Sequence, residues 1–188
     1  MVEGNSSSYS KKQKRKYLAL DCEMVSVGPK GYRSSVARVS LVNYHGAVQM
    51  DEFVQQRERV VDYRTQHSGI RKHDLVDGMA YLLHCLAQYS ALAKSFDEIQ
   101  SRVVGLLKDK VLVGHAVFND LQALSLAHPQ TQTLDTQSYA WKFNAATTKH
   151  IALRHLDKQE LGLTIQDGEH SSDFTGLLHV YRVVVVCA

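Results

Sequence analysis

Tyr17-Leu18-Ala19-Leu20-Asp21-Cys22-Glu23-Met24 is an apolar run that ends abruptly in two carboxylates. Four consecutive apolar residues read as a strand buried on both faces. Side chains alternate along an extended strand, so Asp21 and Glu23 project from one face and Cys22 from the other. Two carboxylates at the end of a core strand repel each other and are costly to desolvate. A hard divalent cation such as Mg²⁺ would relieve both problems, because it takes carboxylate oxygens while keeping several waters. A solvated strand end is the alternative, and spacing alone does not choose, since Asp167 and Glu169 repeat the acid-x-acid pattern.

A length of 188 residues predicts one domain with a sizeable core, and the 44% apolar and 22% charged fractions are those of a globular protein. Cys22, Cys85 and Cys187 are too few and too scattered for a disulfide framework and lack CxxC spacing for zinc, so a reducing compartment is expected. The net charge of +3 is unevenly spread: residues 1–16 carry +4, through Lys11, Lys12, Lys14, Arg15 and Lys16 against Glu3, and the body about −1. Residues 1–16 therefore read as a basic, disordered tail: a nuclear import signal, a loose nucleic-acid contact or a solvated arm. No apolar segment is long enough for a membrane span, and no membrane partner is expected.

Along the body, Ser26 to Gly31 is turn chemistry. Residues 36–42 and 47–54 flank Asn43-Tyr44-His45-Gly46 and predict an antiparallel hairpin, giving three sequential strands with the first. Residues 60–70 have no clean period and read as connecting surface. Residues 75–93 predict an apolar helix, and Ser95-Phe96-Asp97-Glu98 is a capping box for a helix through Leu107. Lys110-Val111-Leu112-Val113-Gly114 is a second buried strand, and strand, crossover helix, strand implies a mixed sheet with helices on its faces. It leads into Asn119, a candidate cap, and Asp120, in the first turn of a helix predicted to run to about His128. That turn lies at the carboxyl end of a core strand, where ligand sites of open α/β sheets cluster. Leu134-Asp135-Thr136 reads as a strand end, residues 151–161 as an amphipathic helix closed by Gly162, and Ile165 to Asp173 as a polar loop feeding a last helix. His170, with acids around it, is a candidate base.

Taken in order, these residues are Asp21-x-Glu23, Asp120, and His170 with Asp173. They resemble the DEDDh class of 3′ to 5′ exonucleases and, more narrowly, its Rex-type RNA exonucleases. The blocks that carry the resemblance are Leu20-Asp21-Cys22-Glu23-Met24-Val25, Ala37 to Asn43, Tyr63-Arg64-Thr65 with Ser68-Gly69-Ile70, Val113-Gly114-His115-Ala116 with Asn119-Asp120-Leu121, Asp135-Thr136, and Glu169-His170-Ser171-Ser172. Together they span roughly residues 17 to 182. The resemblance implies an RNase H-like α/β fold with a mixed five-stranded sheet flanked by helices, forming one exonuclease domain over residues 17–188. It implies two Mg²⁺ or Mn²⁺ ions held by Asp21, Glu23, Asp120 and Asp173, with His170 as general base for the attacking water. Met24, Arg64 and His115 would hold the substrate, single-stranded RNA with DNA left open, and nucleoside 5′-monophosphates would be released. Pre-rRNA processing in the nucleus or nucleolus follows from the same resemblance, and protein partners are unspecified.

Two departures from the family pattern stand out. Residues 81–93 look like an insertion. The family's last metal-binding Asp lies five residues after the His, a position held here by Thr175, which offers no carboxylate; counted back from Tyr181, Asp173 takes that place instead. An alternative reading follows, in which the chain is a catalytically impaired exonuclease fold that binds nucleic acid or acts as a scaffold.

Overall fold

The computed structural model describes residues 16–75, 93–142 and 150–162. Residues 1–15 of the expected tail, residues 81–92 of the expected 81–93 insertion and the candidate residues His170, Asp173 and Thr175 lie outside the described residues.

Strand β1 runs over Tyr17–Val27, β2 over Arg33–Asn43 and β3 over Val48–Phe53. They pair antiparallel as the expected meander. Asn43 closes the β2–β3 turn, its Oδ1 accepting from the amides of His45 and Ala47. A three-residue strand β4, Val60–Asp62, follows, then short helices α1, Thr65–Ser68, and α2, Lys72–Leu75. Helix α3, Phe96–Leu107, starts as its capping sequence predicts: the Ser95 side chain accepts from the Glu98 amide at 3.3 Å. Strand β5, Val111–Gly114, helix α4, Phe118–Ala123, strand β6, Thr133–Asp135, and helices α5, Thr136–Lys142, and α6, Leu153–Leu161, complete the described elements. Gly162 ends α6 in the left-handed region at φ 66°, as the glycine at that position predicts.

The described residues form a sheet of six strands in the order β3-β2-β1-β5-β6, with β4 added to the far end of β1. β5 and β6 run parallel to β1. The sixth strand departs from the five expected. β4 is too short to show a period, and only its antiparallel pairing with Ser26 and Val27 makes it a strand. Helix α4 is also shorter than expected, because Ser125 turns left-handed at φ 53° instead of carrying the helix to His128. Asn119 lies inside α4 and does not cap it; Val117 holds the N-cap position without a side-chain bond.

β1 divides the core. Leu18, Leu20 and Cys22, with Met24 packed beside them, pack on one face with Ile99, Val103 and Leu107 of α3 and Leu121 of α4. On the other face Ala19 joins Val42 and Val113, while Val25 and Val27 join Ala37 and Ile70. Asp21 and Glu23 fall between those two apolar clusters. The strand therefore does not end at the acids, as its first eight residues suggest: burial resumes at Val25, and the carboxylates interrupt the middle of an eleven-residue strand.

Candidate active site

Among the described residues the sheet leaves one edge of β1 open beside these acids. β5 pairs with β1 only at Tyr17, Leu18 and Ala19, and β4 only at Ser26 and Val27, so no described strand pairs that edge between Leu20 and Val25. Asp120 fills part of the gap. Its Oδ1 accepts the amide of Cys22 at 3.1 Å, which places a third carboxylate beside the residue that separates Asp21 from Glu23. Asp120 is 8% exposed. Burial first, and then the charge of Asp21, push its carboxyl from an ordinary 3.8 to about 8, against the opposing hydrogen bonds from Cys22. Glu23 is pushed from 4.5 to about 8 by the same two causes in the same order. Burial, followed by the charges of Asp120 and Asp21, raises the Cys22 thiol well above its usual range, so the thiol stays protonated and donates to Asp120.

The turn that delivers Asp120 is built tightly. Gly114 ends β5, and a Cβ there would come within 2.5 Å of the Val117 Cβ, so only glycine lets the chain fold back at this point. Ala116 is left-handed at φ 54°. Asp135, at the end of β6, accepts the amides of Ala116 at 3.0 Å and Val117 at 3.1 Å, one on each carboxylate oxygen, and so clamps the start of α4 to the neighbouring strand. His115 is also held inside: Nε2 donates to the carbonyl of Ile151 at 2.9 Å, and Nδ1 lies 2.8 Å from the Thr136 hydroxyl. Burial lowers its pKa and favours the neutral ring. Both nitrogens of the expected substrate contact are thus committed within the protein. Arg64 is left-handed at φ 52° and donates from Nε to the Ser26 hydroxyl at 2.7 Å, near the end of the open stretch; Met24, within that stretch, is partly buried.

Sequence reasoning missed Arg38 as a neighbour of the acids. It lies directly across from Glu23 in the β1–β2 register. Its guanidinium forks onto Asp51, with Nε and Nη2 each 2.7 Å from a carboxylate oxygen, and the Ser40 hydroxyl supports the same Asp51 at 2.9 Å. Phe53 lies 5.4 Å from the guanidinium carbon. This fixed cation opposes the upward push on Glu23. Cross-strand register is the only signal that could have pointed to it, and register follows only from a correctly paired hairpin.

The three carboxylates are a hard, all-oxygen donor set, and their mutual repulsion is what a Mg²⁺ or Mn²⁺ ion would neutralise. The set is incomplete here. Among the described residues no group of three or more His, Cys, Asp and Glu side chains converges closely enough to hold an ion unaided. Asp173, the fourth expected ligand, lies outside them.

The sequence profile of the Exonuclease family, RNase_T, matches residues 18–173. The chain is 47% identical over 186 residues to RNA exonuclease 4 of Cryptococcus neoformans, covering 97% of this chain and 42% of that protein. It is 39% identical to RNA exonuclease 4 of Saccharomyces cerevisiae, covering 88% and 53%, and 40% identical to that of Homo sapiens, covering 89% and 36%. The chain thus spans about half or less of the length of these relatives. The Saccharomyces cerevisiae Pan2 pseudoubiquitin hydrolase-RNA exonuclease module in complex with A7 RNA superimposes with a TM-score of 0.74 at 23% identity, over 95% of this chain and 30% of that one. The Neurospora crassa Pan2 catalytic unit gives 0.72 at 18% identity, over 96% and 28%. These structures share the fold, and with the profile match over most of its length the chain belongs to the Exonuclease family, with RNA exonuclease 4 proteins among its relatives.

Proposed function

We propose that this chain is a metal-dependent 3′ to 5′ exoribonuclease domain that releases nucleoside 5′-monophosphates from single-stranded RNA. The observation that carries the reading is the carboxylate of Asp120 bonded to the Cys22 amide between Asp21 and Glu23. The exposed Asp21, the half-buried Glu23 and the buried Asp120 meet on a strand edge that no described strand pairs, where a structural role would call for neutral partners. Asp21, Glu23 and Asp120, joined by Asp173, would hold two Mg²⁺ or Mn²⁺ ions. When bound, such ions polarise the scissile phosphate and lower the pKa of an attacking water. His170 would accept the proton of that water at a ring nitrogen, a role worth roughly 10² to 10⁴ in rate. Met24 and the backbone beside it would support the terminal nucleotide. Arg64, steadied by Ser26, would hold the chain behind it.

The lysine-rich tail would add a salt-sensitive contribution to affinity, and likeness to proteins named RNA exonuclease 4 supports RNA as the substrate. By the same resemblance we assign the protein to RNA processing, of pre-rRNA in particular, in the nucleus or nucleolus. The test is incubation with 5′-labelled single-stranded RNA and Mg²⁺ beside EDTA and Asp21→Asn controls. A ladder shortening from the 3′ end, absent from both controls, is expected. RNA binding without cleavage would instead support the impaired-enzyme reading raised by Thr175. Full activity in Asp173→Asn would show that Asp173 is not the fourth ligand.

A further inference from the structure

Beyond the acidic gap, the far end of β1 borders a second concavity of roughly 590 Å³, lined by Gly28, Glu58, Arg59, Val60 and Val61. That volume is within the range of small-ligand sites. Part of its lining is bare backbone: Gly28 has φ +77°, and a Cβ there would come 2.7 Å from the Arg33 guanidinium. Its one acid, Glu58, is ion-paired to Arg33. Arg59 and, on the same turn as Gly28, Lys30 have no ion pair or side-chain hydrogen bond with the described residues, so the local balance is positive. Tyr32 is 80% exposed and Val61 53%, an aromatic and an aliphatic side chain offered to solvent next to a strand end whose Val25 and Val27 are buried.

Continuity links this concavity to the acids. β4 joins β1 at Ser26 and Val27, so it borders the open edge on one side and lines the concavity on the other. Arg64, two residues past β4, reaches back to Ser26. From Glu23 to Val27 the strand advances about 13 Å. A polyanion whose end lies over Asp21 and Glu23 and which follows β1 outward would meet Arg64 and then this concavity.

We propose that the concavity, together with the exposed Tyr32 that follows the turn packed on Val61, is an upstream subsite for single-stranded RNA, with a backbone phosphate facing Arg59 and a base stacked on Tyr32. The proposal rests on the exonuclease reading for the direction of the strand. Its chemistry is sequence-tolerant, because every base has a face to stack and every nucleotide a phosphate.

The test uses the full chain with Tyr32→Ala and Arg59→Ala, and two substrates. One is a single-stranded RNA oligonucleotide; the other is the p-nitrophenyl ester of a nucleoside 5′-monophosphate, which fills only the terminal site. In each variant KM for the oligonucleotide is expected to rise about tenfold, with kcat and turnover of the ester unchanged. Kd for a fluorescent oligonucleotide, measured by anisotropy without metal, should weaken by a similar factor. Oligonucleotide KM and Kd within about twofold of wild type in both variants would overturn the subsite. Equal losses on oligonucleotide and ester would overturn it too, as damage reaching the catalytic centre. Failure of the exonuclease reading looks different. Wild type would then cleave neither substrate, or cleavage would survive Asp21→Asn, and the anisotropy shift alone would decide the subsite.

Discussion

Replacing Asp120 by Asn should stabilise the metal-free protein at pH 8. The substitution keeps the size of the side chain and an oxygen to accept the Cys22 amide, now at 3.1 Å, while removing a buried charge. Unfolded, the carboxyl releases its proton near 3.8; folded, it keeps the proton up to about 8. The folded state therefore binds more protons across that window, and stability falls as pH rises from about 4 to about 8. At about 1.4 kcal/mol per pH unit the full displacement sets a ceiling of about 6 kcal/mol. Glu23 is raised by burial and by the same Asp21 charge, so removing one carboxylate relieves only part of a shared repulsion, and we expect ~2 kcal/mol. That corresponds to a rise of about 4 to 8 °C in Tm for a protein of this size. The assay is thermal unfolding in EDTA between pH 5 and 8. Wild-type Tm should drop as pH increases, the variant's should drop less, and the gap should be widest at pH 8. Adding Mg²⁺ at pH 8 should then raise the Tm of wild type and leave Asp120→Asn almost unmoved, because only the native carboxylate set gains from ion binding. A variant less stable than wild type at pH 8 in EDTA, or two parallel pH curves, would refute the reasoning.

Gly114→Ala should cost about 1 to 3 kcal/mol in urea unfolding, since the added methyl meets Val117 at 2.5 Å, and should weaken activity by shifting the turn that carries Asp120. Asp51→Ala should cost about 3 kcal/mol by the same measurement, because the Arg38 side chain, 9% exposed, would lose both arms of its fork and keep an unpaired charge.

Much of this arrangement is legible in the sequence because it is local. The alternation of Leu18, Leu20 and Cys22 against Ala19 and Asp21, the Ser95 cap and the closing Gly162 each act through neighbours in the chain. The parallel pairing of β5 with β1 also follows, since a buried strand after a capped helix has few other places to go. What stayed hidden depends on distant partners. β4 is a strand only because Ser26 and Val27 pair with it. Asp135, read as a strand end, is a clamp because the amides of Ala116 and Val117 fall within its reach, 19 and 18 residues away. The Arg38–Asp51 fork needs both the β1–β2 and the β2–β3 registers to be right at once. His115 illustrates a different limit: the motif around it is plain in the sequence, but the Ile151 carbonyl that occupies its ring comes from a segment 36 residues later.

Among the described residues no strand pairs one edge of β1 between Leu20 and Val25, which bears on how the protein avoids its own kind. An unpaired strand edge is a template for a passing strand from another molecule, and such edges are commonly guarded by charge. Here the guards are Asp21 and Glu23, with Asp120 already bonded to the Cys22 amide that an intruding strand would need. The same three carboxylates that suit a metal ion thus give the sheet its protection against edge-to-edge association, and variants that neutralise all of them at once would leave the chain prone to self-pairing.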